Sequence, residues 1–133
     1  MPLKLSLKPD EKLYVGGAVV QNASHVSIDL AVLNDVPLLR EKEVLREGDV
    51  STYCERICLC VQMMYMDKYN LAQYQKDYGV MIRELIQSVP SAASYVADIN
   101  HNLAVGRYYH ALKHARQLMA YEKELIRNAQ QAT

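Results

Sequence analysis

Four cations in the first third of the chain have the type and placement to meet a single-stranded nucleic acid. Lys4 and Lys8 alternate with leucines, and Arg40 and Lys42 stand where a short apolar run gives way to a polar segment. Splayed bases are read by hydrogen bonds to their edges, while cations fix the phosphates. Arginine suits either task, because its planar fork bonds a guanine edge or a phosphate and also stacks. Against this stands a plainer reading: Arg40, Glu41, Lys42 and Glu43 form a solvated helix start with local ion pairs. On residue chemistry alone, the plainer reading is the stronger.

Other constellations carry less. Cys54 and Cys58 share one helix face, as do His110 and His114, and two such pairs facing each other would make a Cys₂His₂ zinc site. The cysteines fall on an apolar stripe, however, and the histidines point away from the Leu112–Met119 face. Buried thiols and surface imidazoles are therefore expected, with no metal or other cofactor. His110-Ala-Leu-Lys-His114 lacks the glutamate of the His-Glu-x-x-His hydrolase signature. His25 beside Ser24 has no orienting partner, so it makes no triad. Gly16-Gly17 is too short to cradle a phosphate and reads as a turn. An enzyme is not expected. Ten tyrosines, with no Phe or Trp, could stack on bases. All but Tyr14 fall in predicted helices or their connections, where packing with a bonded hydroxyl is the better account.

The elements that must position these residues change character near Gly48. Leu3, Leu5 and Leu7 alternate with Lys4, Ser6 and Lys8, the period of a half-buried strand. Lys12 to Val15 and Ala18 to Gln21 flank Gly16-Gly17, which predicts a two-residue hairpin. Val26, Ile28, Leu30 and Val32 keep step in a further run before Asn34-Asp35 turns the chain. Beyond residue 48, apolar spacing becomes helical. Thr52 and Glu55 form a capping box ahead of Cys54, Ile57, Cys58, Val61, Met64 and Tyr65. A second helix is predicted from about Asn70 to Ser88, with Leu71, Tyr74, Tyr78, Met81, Ile82 and Leu85 inward. Pro90 breaks it, and Ser91 is placed to cap a third through Tyr95, Val96, Ile99 and Leu103. Gly106 precedes a last helix striped by Tyr108, Leu112, Ala115, Met119 and Ile126. The tail 128–133 has nothing to bury and is expected to fray. The fold class is α+β: a small antiparallel β unit over 1–48, then a helical region of about four helices over 49–133.

Lys plus Arg and Asp plus Glu number 15 each, so net charge draws no polyanion to the whole surface. Nucleic-acid binding would have to rest on a local patch. No apolar stretch nears the roughly 20 residues of a membrane span. The N-terminus lacks a signal-peptide pattern, and three cysteines without paired spacing fit a reducing compartment. A cytoplasmic protein with no membrane contact is expected.

The order of short motifs carries a resemblance. The opening from Met1 to Lys12, then Gly16-Gly17-Ala18-Val19-Val20-Gln21-Asn22 and Leu39-Arg40-Glu41-Lys42, resembles the FlbT family. Gly106-Arg107-Tyr108-Tyr109-His110-Ala111-Leu112-Lys113 resembles that family's Gly-x-Tyr-Tyr-x-Ala-Leu-Lys segment. FlbT proteins are flagellin-synthesis regulators of alphaproteobacteria that act on the leader of a flagellin messenger RNA. The resemblance implies that leader as partner, with post-transcriptional regulation of flagellum biogenesis as the role. The β unit is also similar to CsrA-type RNA-binding regulators, through Asp10 to Val19 and Val36-Pro37-Leu38-Leu39-Arg40-Glu41. In that family the outer strands of an intertwined dimer bind RNA. The likeness implies a homodimer and matches Leu5, Ser6 and Lys8 to the first strand's RNA face, and Arg40 and Glu41 to the last. Lys4 and Lys42 join them as neighbouring cations. Leu7 and Leu39 replace an arginine and a histidine of the CsrA pattern, which implies an altered base preference. The alternative is an adaptor whose helical half binds flagellin or another flagellar regulator without touching RNA.

Overall fold

The first strand, β1 (Leu3–Leu7), pairs antiparallel with β4 (Ile28–Val32), and Leu3, Leu5 and Leu7 stand opposite Val32, Leu30 and Ile28. One face of this ribbon is therefore wholly apolar, while Lys4 and Ser6 share the other with Ala31 and Asp29. The second sheet has the order β3-β2-β5, built from β2 (Lys12–Val15), β3 (Ala18–Gln21) and β5 (Leu38–Arg40). The computed structural model describes residues 3–131.

Gly16 and Gly17 close the β2–β3 hairpin at φ 54° and 91°, with Val15 opposite Ala18. Both turn residues need a left-handed backbone, which glycine adopts without a Cβ clash. A second turn, Lys8-Pro9-Asp10-Glu11, is closed by the Glu11 N–H on the Lys8 carbonyl, with Asp10 at φ 65°. The fourth strand starts at Ile28, later than the predicted run, and Val26 is exposed. Asn22 explains the shift. Its buried amide donates to the Leu7 and Val26 carbonyls, and its oxygen accepts from the Ser24 N–H and hydroxyl. Residues 22–26 are thereby held as a loop.

Four helices follow: α1 (Tyr53–Met66), α2 (Leu71–Ser88), α3 (Ala93–Ala104) and α4 (Tyr108–Gln131). No described residue beyond Arg40 is in a strand. The α+β order of the sequence reading holds. By internal contacts, the chain up to Val44 and the chain from Leu45 form two compact units.

The capping box at α1 is present: the Glu55 N–H donates to Thr52 Oγ1, and the Thr52 N–H donates to Glu55 Oε1. Within the helical unit, α1 packs on α2 and α4, and α3 packs on α4. Ile57, Cys58, Val61, Met64, Val96, Ile99, Ala111, Leu112, Ala115 and Leu118 form the dry centre. Gln62 is buried among them, with its amide closed on both the N–H and the carbonyl of Leu45.

Several expectations need correction. Tyr65 is only half-buried, and of the six α2 residues expected inward only Tyr78 and Leu85 are buried. Ser91 caps nothing, because Pro90 opens a short 3₁₀ turn and the Ser91 hydroxyl bonds the Tyr121 hydroxyl instead. Ile126 is 44% exposed, since α4 runs about 36 Å and outreaches the shorter helices beside it. Residues 128–131 bury nothing, yet they continue the helix; the rest of the expected tail lies outside the described residues.

Candidate nucleic-acid interface

The two strands that carry most of the candidate residues are joined by one guanidinium. Arg40 ends β5, and its Nη1 donates to the Ser6 carbonyl of β1 at 2.9 Å. The same nitrogen lies 3.4 Å from Glu11 Oε1. That carboxylate also accepts the Lys8 backbone N–H at 2.9 Å, so the Lys8 turn, β1 and β5 meet at Glu11. The Lys8 N–H first, and the Arg40 charge after it, hold the Glu11 carboxyl below its ordinary range, against the opposing cost of desolvation. The local pairing expected of Arg40 is thus partly right: its backbone N–H reaches Glu43, while its side chain pairs across the sheet order with Glu11.

The other candidates divide by face. Lys4, Lys8 and Lys42 are exposed. Ser6 donates its hydroxyl to Asp29 Oδ1 across the ribbon at 2.6 Å. Leu5 alternates onto the opposite, apolar face, half-buried against Leu30. An open groove along the ribbon is lined by Lys4, Leu5, Ser6, Asp29, Leu30 and Ala31. Glu41 pairs with Lys12 at 3.6 Å, both being partly exposed, which contributes little to stability. The structure therefore gathers Arg40, Ser6 and Lys8 around Glu11, and leaves Lys4 and Lys42 in solvent.

Glu11 and Asn22 were not singled out by sequence. Glu11 lay in view with Asp10 as one of two carboxylates in the turn between β1 and β2. Asn22, two residues before Ser24 at a strand end, has the pattern of an Asx turn. Tyr14 sits half-buried on the central strand β2, opposite Leu39 and Val19. Elsewhere the tyrosines mostly pack or bond as expected: Tyr78 donates to Asn100, Tyr74 to Asp67, and Tyr95 stacks on Tyr121. Tyr69 departs from this, being fully exposed.

The thiols of Cys54 and Cys58 are pushed up to about 12 by burial, and that of Cys60 to about 11. Such groups are poor nucleophiles and poor metal ligands. Among the described residues, no three His, Cys, Asp or Glu side chains gather to hold a metal. Nor is any helix there long and apolar enough to cross a membrane.

The β unit presents charged strands tied by one arginine, and the polar groups of the helical unit serve packing and capping. The chain belongs to the FlbT family: the family described as "Flagellar protein FlbT" matches residues 3–126. A "Probable flagellum biosynthesis repressor protein FlbT" of Rhodopseudomonas palustris is 37% identical over 126 residues, spanning 95% of this chain and 98% of that one. The "Flagellum biosynthesis repressor protein FlbT" of Caulobacter vibrioides is 35% identical over 128 residues, spanning 95% and 90%. This is a family of repressors, regulatory and not enzymatic. No solved structure matches the chain, and the likeness to CsrA-type regulators is carried by short motifs alone.

Proposed function

We propose that the chain represses flagellum biosynthesis after transcription, in the cytoplasm, by binding the 5′ leader of a flagellin messenger RNA through its β unit. The observation that carries this reading is the near end-to-end match to relatives named as flagellum biosynthesis repressors. The exposed Lys4, Lys8 and Lys42 around the Arg40 junction supply its chemistry. Lys4, Lys8 and Lys42 contact phosphates. Arg40 holds β1 to β5 and turns the rest of its fork to the RNA, with Ser6, Leu5 and Glu41 at the rim.

The active form is a dimer through the β unit, residues 1–48, with 49–133 as a protein-interaction module. Two strands alone are marginal in water. Leu3 at 52% and Val19 at 57% exposure leave apolar surface and open strand edges for a second copy.

Mobility shifts on a flagellin leader transcript at two salt concentrations test the reading. Lys8→Ala should weaken all RNAs alike and make the log–log salt slope shallower by roughly 0.7, the share of one phosphate contact on a single strand. Arg40→Ala should cost about 1–3 kcal/mol and relax preference at one position. Arg40→Lys serves as the folded control, because it retains charge but not the fork. No binding by the unaltered protein, together with co-purification of flagellin free of RNA, would hand the function to the adaptor reading. Light scattering that reports a monomer at micromolar concentration would remove the dimer.

A further inference from the structure

Between Ile99 and Tyr121 the chain carries Arg107, Lys113, Arg116, His101, His110 and His114, but no Asp or Glu, although charges balance over the whole sequence. The turn from α3 into α4 fixes where Arg107 and Lys113 emerge. Gly106 takes φ 76°, its N–H bonds the Leu103 carbonyl, and the Arg107 N–H bonds the Asn102 carbonyl at 2.8 Å. Asn102 is itself buried, with its side-chain amide on the Asp98 carbonyl. Arg107, His110 and Lys113 then follow at three-residue spacing on one exposed face.

Aromatic rings are interleaved with them. Arg107 Nη2 lies 2.9 Å from His110 Nε2. Lys113 Nζ sits 5.2 Å from the centre of the Tyr109 ring, and that half-buried ring is backed by Tyr65 at 5.5 Å. No described ion pair engages Arg107, His110 or Lys113. His110 titrates below its ordinary range, through desolvation first and then through Arg107, Lys113 and His114. Arg107 and Lys113 are thus the fixed charges of a corner with no acidic residue from Ile99 to Tyr121, and the same charges disfavour protonation of His110.

We propose that this α3–α4 corner is a second contact for single-stranded RNA, with Arg107 and Lys113 on backbone phosphates and Tyr109 as a stacking face for one base. The inference rests on the RNA-binding reading of the β unit and extends it to the helical unit. Cations alone would suit any polyanion. A ring placed beside them suits splayed bases, since every base offers a π-face whatever its sequence.

The test uses the full chain and a flagellin leader transcript substituted with 4-thiouridine. Trypsin cuts after Arg107 and Lys113, so a crosslink at the stacking face is read on the peptide 108–113. A crosslink there is expected, and its absence when the β unit does crosslink overturns the second contact. Arg107→Gln with Lys113→Gln, both exposed and able to fold, should make the salt slope shallower by roughly 1.4, at about 0.7 per phosphate contact. Tyr109→Leu should weaken binding about tenfold to a hundredfold, whereas Tyr109→Phe should bind as the parent does. Helical circular dichroism confirms that each variant is folded. An unchanged slope in the double variant, with Lys8→Ala still lowering it, removes this site and leaves the β-unit reading intact. Failure of the unaltered protein to bind the leader removes both.

Discussion

Among the described residues, the β unit buries three apolar side chains, Leu7, Leu13 and Leu39, whereas the helices close over a set that runs from Cys54 to Leu118. What the β unit lacks in apolar burial it replaces with polar ties: Asn22 across Leu7 and Val26, and Arg40 across Ser6 and Glu11. The helical unit draws its stability from non-directional burial, which tolerates small shifts. Hydrogen-bonded ties are directional, and losing one leaves buried partners unmet.

The sharpest way to break the comparison is to open the helical core. Ile57 is fully buried in the first half of α1, and Ile57→Ala should cost about 2–5 kcal/mol through lost burial and a cavity. Thermal unfolding measures the loss, and thiol labelling shows where it falls. With thiols pushed up to about 12, Cys54 and Cys58 should resist alkylation at pH 8 in the parent and label faster in the variant. A loss under 1 kcal/mol would show that the helices do not depend on this centre.

Asn22→Ala should cost about 1–3 kcal/mol, because the buried Leu7 carbonyl loses its donor and the Ser24 N–H its acceptor. Hydrogen exchange should quicken in β1 and β4 and stay unchanged in α1 and α4. Uniform quickening would mean that the two units share one cooperative transition, and the contrast between them would fail.

A smaller effect isolates the α1 cap. Thr52→Ala should cost about 1 kcal/mol. Glu55 accepts the Ser51 and Thr52 backbone N–H groups, which hold its carboxyl down to about 2 from an ordinary 4.5. A depressed carboxylate stabilises the fold fully above its ordinary pKa and loses that contribution as the pH falls through the folded value. The thermal midpoint should therefore drop between about pH 4.5 and 2, and Glu55→Gln should flatten part of that drop. Glu11, also lowered, adds a like contribution in the β unit that Glu55→Gln leaves in place.

Periodic features were legible in the sequence, and features that depend on a partner were not. The alternation of Leu3, Leu5 and Leu7, the Gly16-Gly17 turn and the Thr52–Glu55 box are local, so each needed only its neighbours. Arg40 was singled out as a cation, but its bond to Ser6 spans 34 positions and has no local sign. Ser91 had the residue type of a cap, yet Pro90 beside it opened its own turn and Tyr121 took the hydroxyl. The corner at Arg107 was read as a glycine before a helix and as a segment resembling the FlbT family's, not as a contact surface. Its signal was a missing residue type, the acid-free stretch, which motif reading passes over.

The smallest expected effect tests a place where helical period misled. Ile126 keeps step with Leu112, Ala115 and Met119, but a stripe is buried only as far as something packs on it. The helix α4 has 24 residues, whereas α1 has 14 and α3 has 12, so its last turns pass beyond the helices that pack on it. Leu125 and Ile126 are accordingly exposed, and so is every residue from Lys123 to Gln131. Substitution of an exposed side chain away from packing, caps and buried polar groups typically falls within about 0.5 kcal/mol either way. Ile126→Gln should therefore leave the thermal midpoint of the isolated protein within that band, while Leu118→Ala, on the buried part of the same helix, should cost about 2–5 kcal/mol. A loss of 1 kcal/mol or more for Ile126→Gln would mean that a second surface covers the end of α4 in solution. A rise in that loss with protein concentration would identify the surface as another copy of the chain.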